Sequence, residues 1–207
     1  MTRKVSPKTS RGVRRGERLT NCSRDRCGRR YNAFTLIELI VVVGIIIVLS
    51  ALVLSTVGYA RKKGARARAE TEIAAMSAAC ENYKADNGVY PANSDTNALN
   101  AQTSVDPSAY QAASLYLYNA LFGATAGSRT PNTGARSYFV FKPNMLFPAD
   151  QTQTVQYIQD PFGNSYGYST IQAATQDTTK GYNPTFDLWS TASGTTIGDA
   201  PKWIKNW

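Results

Sequence analysis

The sequence contains no histidine and has only three cysteines, Cys22, Cys27 and Cys80. Without histidine, the side chain that most often serves as a general base or a metal ligand is missing. Cys22 and Cys27 form a C-x4-C pair without a second pair of ligands, so we interpret them as incidental rather than as a zinc site. Cys80 has no catalytic base beside it in the sequence, and no glycine-rich phosphate loop is present. The sequence therefore argues against an enzyme, and we expect no cofactor.

The net charge of +9 is unevenly distributed along the chain. Residues 1–33 contain eleven Lys or Arg and two acids, so the excess positive charge belongs to this basic leader. From residue 69 onward, eleven acids outnumber seven basic residues, which gives a net charge of −4. An acidic domain repels phosphate backbones, so no nucleic-acid partner is expected. The leader has few apolar residues, and its composition predicts no packed core.

Residues 34–60 form an apolar segment whose one charged residue is Glu38. As a helix this segment would span about 40 Å, more than the roughly 30 Å hydrocarbon core of a bilayer. Three interpretations are open. A signal peptide cut after Ala60 would need a shorter apolar core, and a plain membrane anchor leaves Glu38 unexplained. A third interpretation must explain both the length of the apolar segment and the presence of Glu38, because a charged residue inside such a segment is costly.

The residues after Ala60 continue the helix with a different pattern. Positions 61–68 contain five positive charges, and an apolar stripe with helical spacing follows, made of Ile73, Met76, Cys80 and Tyr83. Asp86-Asn87-Gly88 with Pro91 predicts the end of the helix. We therefore predict one helix over residues 34–86. Residues 34–60 form its membrane half, and the segment 61–88 contains its exposed, amphipathic half together with the residues that end it.

Residues 89–207 are predicted to form a globular head of mixed structure. Asp106 and Pro107 predict the start of a second helix over 107–122, with an apolar face of Leu115, Tyr118, Leu121 and Phe122. Short strands are predicted at 138–141, 155–158, 166–169 and 186–190, with a turn at 160–164. The predicted fold class is α+β, with the long helix packed on a small antiparallel sheet.

The stretch "AFTLIELIVVVGIIIVLSALVL" at 33–54 closely resembles the N-terminus of type IV prepilin-like proteins. That resemblance implies that a prepilin peptidase cuts between Ala33 and Phe34 and that the new amine of Phe34 is methylated. Glu38 stands at the position of the acid characteristic of the family, and its role is implied to be in assembly. The family most often has glycine where Ala33 stands.

Later stretches resemble the major pseudopilin of type II secretion systems. They are "RARAETEIAAMSAACENYKADNGVYP", "DPFGNSYGYS", "FDLWS" and the final "KNW". In that subfamily, aspartates in the loop after the Phe-Asp strand bind calcium, and here Asp199 is the one aspartate of the loop "STASGTTIGDAP" that remains as a ligand. Calcium usually takes six to eight oxygens, several of them from carboxylates, so we do not assume that it binds.

The resemblance implies a structural subunit of a type II secretion pseudopilus, with a pilin-like fold and no enzymatic activity. Its implied partners are the prepilin peptidase, other copies of itself, minor pseudopilins, the inner-membrane assembly platform and the lipid bilayer. The implied location is the inner membrane, crossed once, with the leader cytoplasmic and the head periplasmic. Two alternatives stay open: a type IV pilus subunit, and a signal-anchored or secreted periplasmic binding domain.

Overall fold

The computed structural model describes residues 34–194 and 196–207. By its internal contacts the chain divides into two units, the first ending at Ile47 and the second beginning at Val48. In the described residues, the first unit is the beginning of the long helix. The second contains the rest of that helix, three short helices, three 3-10 turns and five strands.

Helix α1 runs from Leu36 to Asn87, close to the predicted bounds. It ends at Gly88, which adopts a left-handed conformation (φ +77°) and donates its backbone N–H to the Lys84 carbonyl oxygen at 2.7 Å. A residue with a side chain is disfavoured in that conformation, so the Asn-Gly sequence sets the helix end. The prediction of a stop at this point is confirmed.

The head contains three further α-helices, α2 (Ser94–Ala98), α3 (Gln111–Phe122) and α4 (Ile171–Thr175). A 3-10 turn at Pro107–Tyr110 leads into α3, and the Asp106 carboxylate accepts the Ser108 N–H as the predicted cap. Gly123 ends α3 with a φ of +77°. Two more 3-10 turns lie at Pro143–Met145 and Ile197–Lys202.

Both sheets of the head are antiparallel. A two-stranded sheet pairs β1 with β2, and a three-stranded sheet has the order β3–β4–β5. The strands are β1 (Leu146–Phe147), β2 (Tyr157–Ile158), β3 (Gly167–Ser169), β4 (Asp187–Ser190) and β5 (Ile204–Lys205). The α+β arrangement of a long N-terminal helix with small antiparallel sheets is thus confirmed and is consistent with a pilin-like fold.

The main core of the head joins the second part of α1 to α3 and the sheets. Ile73, Met76 and Cys80 are buried in it, and Tyr83 packs against its edge, as their spacing predicts. From α3 the core receives Leu117, Tyr118 and Leu121. The predicted face of that helix omitted Leu117, which is fully buried, and included Leu115 and Phe122, which are only partly buried.

The predicted strand at 138–141 is wrong. The backbone N–H groups of Tyr138 and Phe139 both donate to the Leu121 carbonyl oxygen near the end of α3, at 2.7 and 3.1 Å. Orphan carbonyls at a helix end need such donors, so this aromatic segment covers the end of α3 instead of pairing with a strand. The strand predicted at 155–158 is shortened to β2, and β1 and β5 were not predicted.

Candidate functional site

Two of the predicted site residues, Phe34 and Glu38, lie at the start of α1, Phe34 just before the helix and Glu38 in its first turn. Phe34 directly precedes Thr35, the residue before the first helical position, and its side chain is 81% exposed. Ala33, the residue on the other side of the predicted cleavage bond, lies outside the described residues, as does the leader 1–33.

Glu38 and Thr35 cap the start of α1 reciprocally. One carboxylate oxygen of Glu38, Oε2, accepts the Thr35 backbone N–H at 2.9 Å and the Thr35 hydroxyl at 2.8 Å. In return, the Thr35 hydroxyl oxygen accepts the Glu38 backbone N–H at 3.3 Å. This is a capping box, in which the first and fourth residues satisfy each other's free donors. The Thr-x-x-Glu spacing is visible in the sequence, but the predicted role of Glu38 was in assembly alone.

The capping box directs the Glu38 carboxylate toward the beginning of the chain. Only two backbone atoms separate the Thr35 nitrogen, which it binds, from the Phe34 nitrogen. If the chain is cut after Ala33, the Phe34 nitrogen becomes a positively charged amine close to this carboxylate. The arrangement can therefore neutralise a new N-terminal charge within one chain, in addition to any pairing between subunits.

The apolar side chains around Glu38 are not covered by the rest of the chain. From Phe34 to Leu54, the large apolar side chains are 46–81% exposed. By length and composition, α1 includes one stretch that could cross a membrane. So extended an apolar surface is far larger than a soluble monomer normally exposes, and it requires either lipid or other apolar helices around it.

A second acid of α1, Glu72, is buried in the head and was not predicted. Its Oε2 accepts the Tyr166 hydroxyl at 2.7 Å, and its Oε1 accepts the Arg68 Nε–H at 2.6 Å. Burial is the main cause that raises the pKa of the Tyr166 phenol, so that phenol stays a donor at neutral pH. Glu72 thus attaches α1 to the segment that leads into β3. No local sequence pattern predicts this pairing, because Tyr166 lies 94 residues away.

Two buried aspartates organise two segments of the head, the turn at 160–164 and the segment that leads into β4. Asp160 Oδ1 accepts the backbone N–H groups of Phe162 and Asn164 at 2.9 and 2.8 Å, which closes the predicted turn. Asp187 accepts the backbone N–H groups of Tyr182 and Asn183. Burial raises the pKa of both carboxyls above the usual aspartate value, although these hydrogen bonds act in the opposite direction. Both residues therefore hold backbone segments of the head in place.

Asp199, the predicted weak calcium candidate, lies in the 3-10 turn Ile197–Lys202. Its carboxylate accepts the Thr196 hydroxyl at 2.8 Å and forms an ion pair with Lys202 at 2.9 Å. Within residues 34–194 and 196–207, no group of three or more His, Cys, Asp or Glu side chains could hold a metal ion. The cation beside Asp199 in this structure is an ammonium group.

Residues 28–54 match the model of a known protein family, which is described as "Prokaryotic N-terminal methylation motif". This motif indicates a type IV pilin-like prepilin. It implies processing by a prepilin peptidase and assembly in the manner of pilins, whose subunits are structural proteins rather than enzymes. Within the described residues, one apolar helix at the N-terminal side is long enough to cross a membrane, which fits a single-pass, membrane-anchored protein of this kind. No curated protein and no solved structure matches the chain.

Proposed function

We propose that this chain is a structural subunit of a type II secretion pseudopilus. It is made as a prepilin inserted once in the inner membrane, cut between Ala33 and Phe34, and methylated at the Phe34 amine. It then leaves the bilayer by packing its apolar helix against those of other copies. The observation that carries this proposal is an apolar, exposed helix start that lies within the matched methylation motif, with Glu38 held by Thr35 at the proposed new terminus.

The type II assignment, rather than a surface pilus, is supported by the end of the chain. Asn206, next to the last residue, accepts the Leu188 N–H at 2.9 Å and donates to the Phe186 carbonyl oxygen at 3.2 Å. The Asn206 side chain is thus tied to the Phe-Asp strand by hydrogen bonds. Residues 81–207 contain no cysteine, so this segment does not close on itself by the C-terminal disulfide loop that many pilins have.

The proposed domain division follows the same logic. The leader 1–33 is removed, residues 34–60 span the membrane and later form the filament core, and 61–88 continue the helix into the head of 89–207. We expect a fragment of residues 60–207 to unfold cooperatively as a monomer, because the buried stripe of α1 and the sheets supply its core. Urea titration checks this, and a gradual loss of signal would contradict the boundary at 60.

The mature N-terminus tests the proposed function most directly. Chain extracted from membranes of a host with a prepilin peptidase is analysed by mass spectrometry of its N-terminal peptide. We expect N-methylated Phe34. An N-terminus at Arg61 would instead support a secreted domain, and an intact Met1 would support a simple anchor.

A deletion strain separates the two filament functions. For a pseudopilin, removing the gene stops the release of secreted proteins and leaves surface pili unchanged. Loss of surface pili with normal secretion would contradict the type II assignment and favour a type IV pilus subunit.

A further inference from the structure

A cavity of about 560 Å³ lies in the second unit, beside the part of α1 that follows the apolar segment. One wall is a single face of the helix, formed by Tyr59, Lys62, Lys63 and Arg66, which lie three, four and seven residues apart. The opposite wall is the loop after β4, residues 191–194. The volume lies within the roughly 300–1,000 Å³ that small-molecule sites occupy.

The cavity is strongly basic. Lys62, Lys63, Arg66 and Lys202 contribute four positive charges to its lining and Asp199 one negative charge, a net of +3. Asp199 is already paired with Lys202. Lys62 and Lys63 are exposed, and neither has a hydrogen bond or ion pair within the part of the chain that the structure describes. Two adjacent lysines are thus available to an anion that enters.

The lining also includes apolar surface and an unused hydroxyl. The rings of Tyr59 and Phe162 line the same space as the lysines. On the loop wall, Thr191 is fully buried and its hydroxyl has no hydrogen-bond partner among the described residues. Because that hydroxyl has no accessible surface, a ligand in the cavity would contact the lysines and the rings instead. Lysine ammonium groups beside aromatic rings suit a ligand that has both an anionic group and an apolar part, rather than a simple inorganic anion.

The position of the cavity along the chain identifies the source of such an anion. Its lysines follow the apolar segment 34–60 directly, and Tyr59, 70% exposed, lies at the end of that segment. Tyrosine and lysine at the end of a membrane helix lie at the level of the lipid headgroups. The cavity is therefore presented to the headgroups of the leaflet on the side of the head.

We propose that this cavity binds the headgroup of an anionic phospholipid while the subunit stands in the membrane. The phosphate contacts Lys62 and Lys63, and the glycerol and first acyl carbons lie against Tyr59 and Phe162. The proposal rests on the proposed function, because only a chain anchored by 34–60 brings the cavity to the bilayer surface. It gives the prepilin a defined lipid contact that must be released when the subunit enters a filament.

The test uses the full chain in a neutral detergent, with dioctanoyl phosphatidylglycerol as the anionic lipid and dioctanoyl phosphatidylcholine and inorganic phosphate as comparisons. Binding is measured by native mass spectrometry and by calorimetric titration. We expect saturable binding of phosphatidylglycerol that weakens about fivefold on Lys62→Gln and further on Lys62→Gln/Lys63→Gln. Phosphatidylcholine and phosphate should bind much more weakly.

Arg61→Gln is the matched control, because it removes the same charge one residue away without altering the cavity lining. An equal loss of affinity in Arg61→Gln and Lys62→Gln would overturn the proposal in favour of general surface attraction. Equal binding of inorganic phosphate would reassign the site to free phosphate. If the lysine variants bind lipid normally and fail only in assembly, the proposal is wrong and the lysines contact another subunit instead.

The lipid titration does not depend on processing, so its outcome is separable from that of the mature N-terminus. A chain with N-methylated Phe34 that binds no phosphatidylglycerol would overturn this inference and leave the proposed function intact. A chain that binds the lipid through Lys62 and keeps Met1 would support the lipid site and contradict the proposed cleavage and assembly.

Discussion

The first and second parts of α1 differ in how their apolar side chains are covered. Between Phe34 and Leu54 every large apolar side chain is at least 46% exposed, whereas Ala69, Met76 and Cys80 in the later part are fully buried. The early part is apolar on all sides and the later part only along a stripe. A stripe can be buried by the chain's own head, but an apolar cylinder needs a bilayer or other helices.

The two acids of the helix show the same difference. Glu38 is exposed and binds Thr35, three residues away. Glu72 has a side chain that is 11% exposed and binds Tyr166 in the head. The first acid therefore keeps its charge available to groups outside the fold, while both carboxylate oxygens of the second are engaged in holding the fold together.

The largest effect is expected from Glu38→Ala, which should leave membrane insertion and cleavage intact and abolish filament assembly or secretion. An unpaired charge inside a bilayer or an apolar helix bundle is costly, so under the proposed function the terminal amine of each cut chain would take this carboxylate as its counterion. Secretion and filament formation are measured beside the mass of the mature N-terminus. Normal filaments would contradict the role, and loss of cleavage would assign Glu38 to recognition by the peptidase.

Glu38→Gln is the control that separates charge from helix capping. Glutamine preserves a capping box with Thr35 because its side-chain oxygen can accept the same N–H. If the charge matters, Glu38→Gln should fail to assemble as Glu38→Ala does. Assembly restored by glutamine would show that the first turn of the helix, rather than ion pairing, is what the acid provides.

Met76→Ala and Ile46→Ala compare the two parts of the helix directly. Met76 is fully buried, and its truncation should lower the free energy of unfolding of the head by about 2–5 kcal/mol through the cavity left behind. Ile46 is 55% exposed, so its truncation should leave head stability unchanged and weaken only assembly. Urea unfolding in detergent micelles, followed by the fluorescence of buried Trp189, measures both. Equal losses of stability would contradict the comparison.

The features that the sequence predicted well have local causes. The stripe of α1, the stop at Gly88 and the strands β3 and β4 each follow from spacing or from residue type. The strand predicted at 138–141 was wrong. Its aromatic residues have the composition of a strand, but the N–H groups of Tyr138 and Phe139 bind a carbonyl oxygen at the end of α3. The pairing of Glu72 with Tyr166 depends on tertiary structure and has no local pattern, whereas the Thr35–Glu38 capping box has one in its Thr-x-x-Glu spacing.

A smaller effect is expected when Glu72→Ala is compared with Glu70→Ala. Both acids pair with an arginine four residues earlier, but the side chain of Glu70 is 56% exposed and that of Glu72 is 11% exposed. Glu72→Ala leaves the buried Tyr166 hydroxyl without its acceptor and should cost about 1–3 kcal/mol of unfolding free energy. Glu70→Ala should cost less than about 0.5 kcal/mol. Urea unfolding of the two variants measures the difference.

A double-mutant cycle with Tyr166→Phe identifies the cause of that loss. If the unpaired hydroxyl is responsible, Tyr166→Phe should add little further destabilisation once Glu72 is alanine. Fully additive losses would show that the two side chains act independently and that Glu72 contributes through Arg68 alone.

The smallest expected effect is the contribution of Asp160 to the pH dependence of the unfolding free energy of the head. Burial raises the pKa of this carboxyl above the ordinary aspartate value, so between the two values the folded state binds more protons than the unfolded state. Asp160 therefore favours folding most at acid pH, and its contribution declines as the pH rises through the raised pKa.

Asp160→Asn keeps an oxygen for the Phe162 and Asn164 N–H groups but cannot titrate. The difference in unfolding free energy, native chain minus Asp160→Asn, should fall with rising pH from about pH 4 and then become constant. Asp106, whose pKa is lowered by its bonds to Ser108, should behave oppositely in Asp106→Asn, with a difference that rises with pH. A difference for Asp160 that also rises with pH would mean that its hydrogen bonds outweigh its burial.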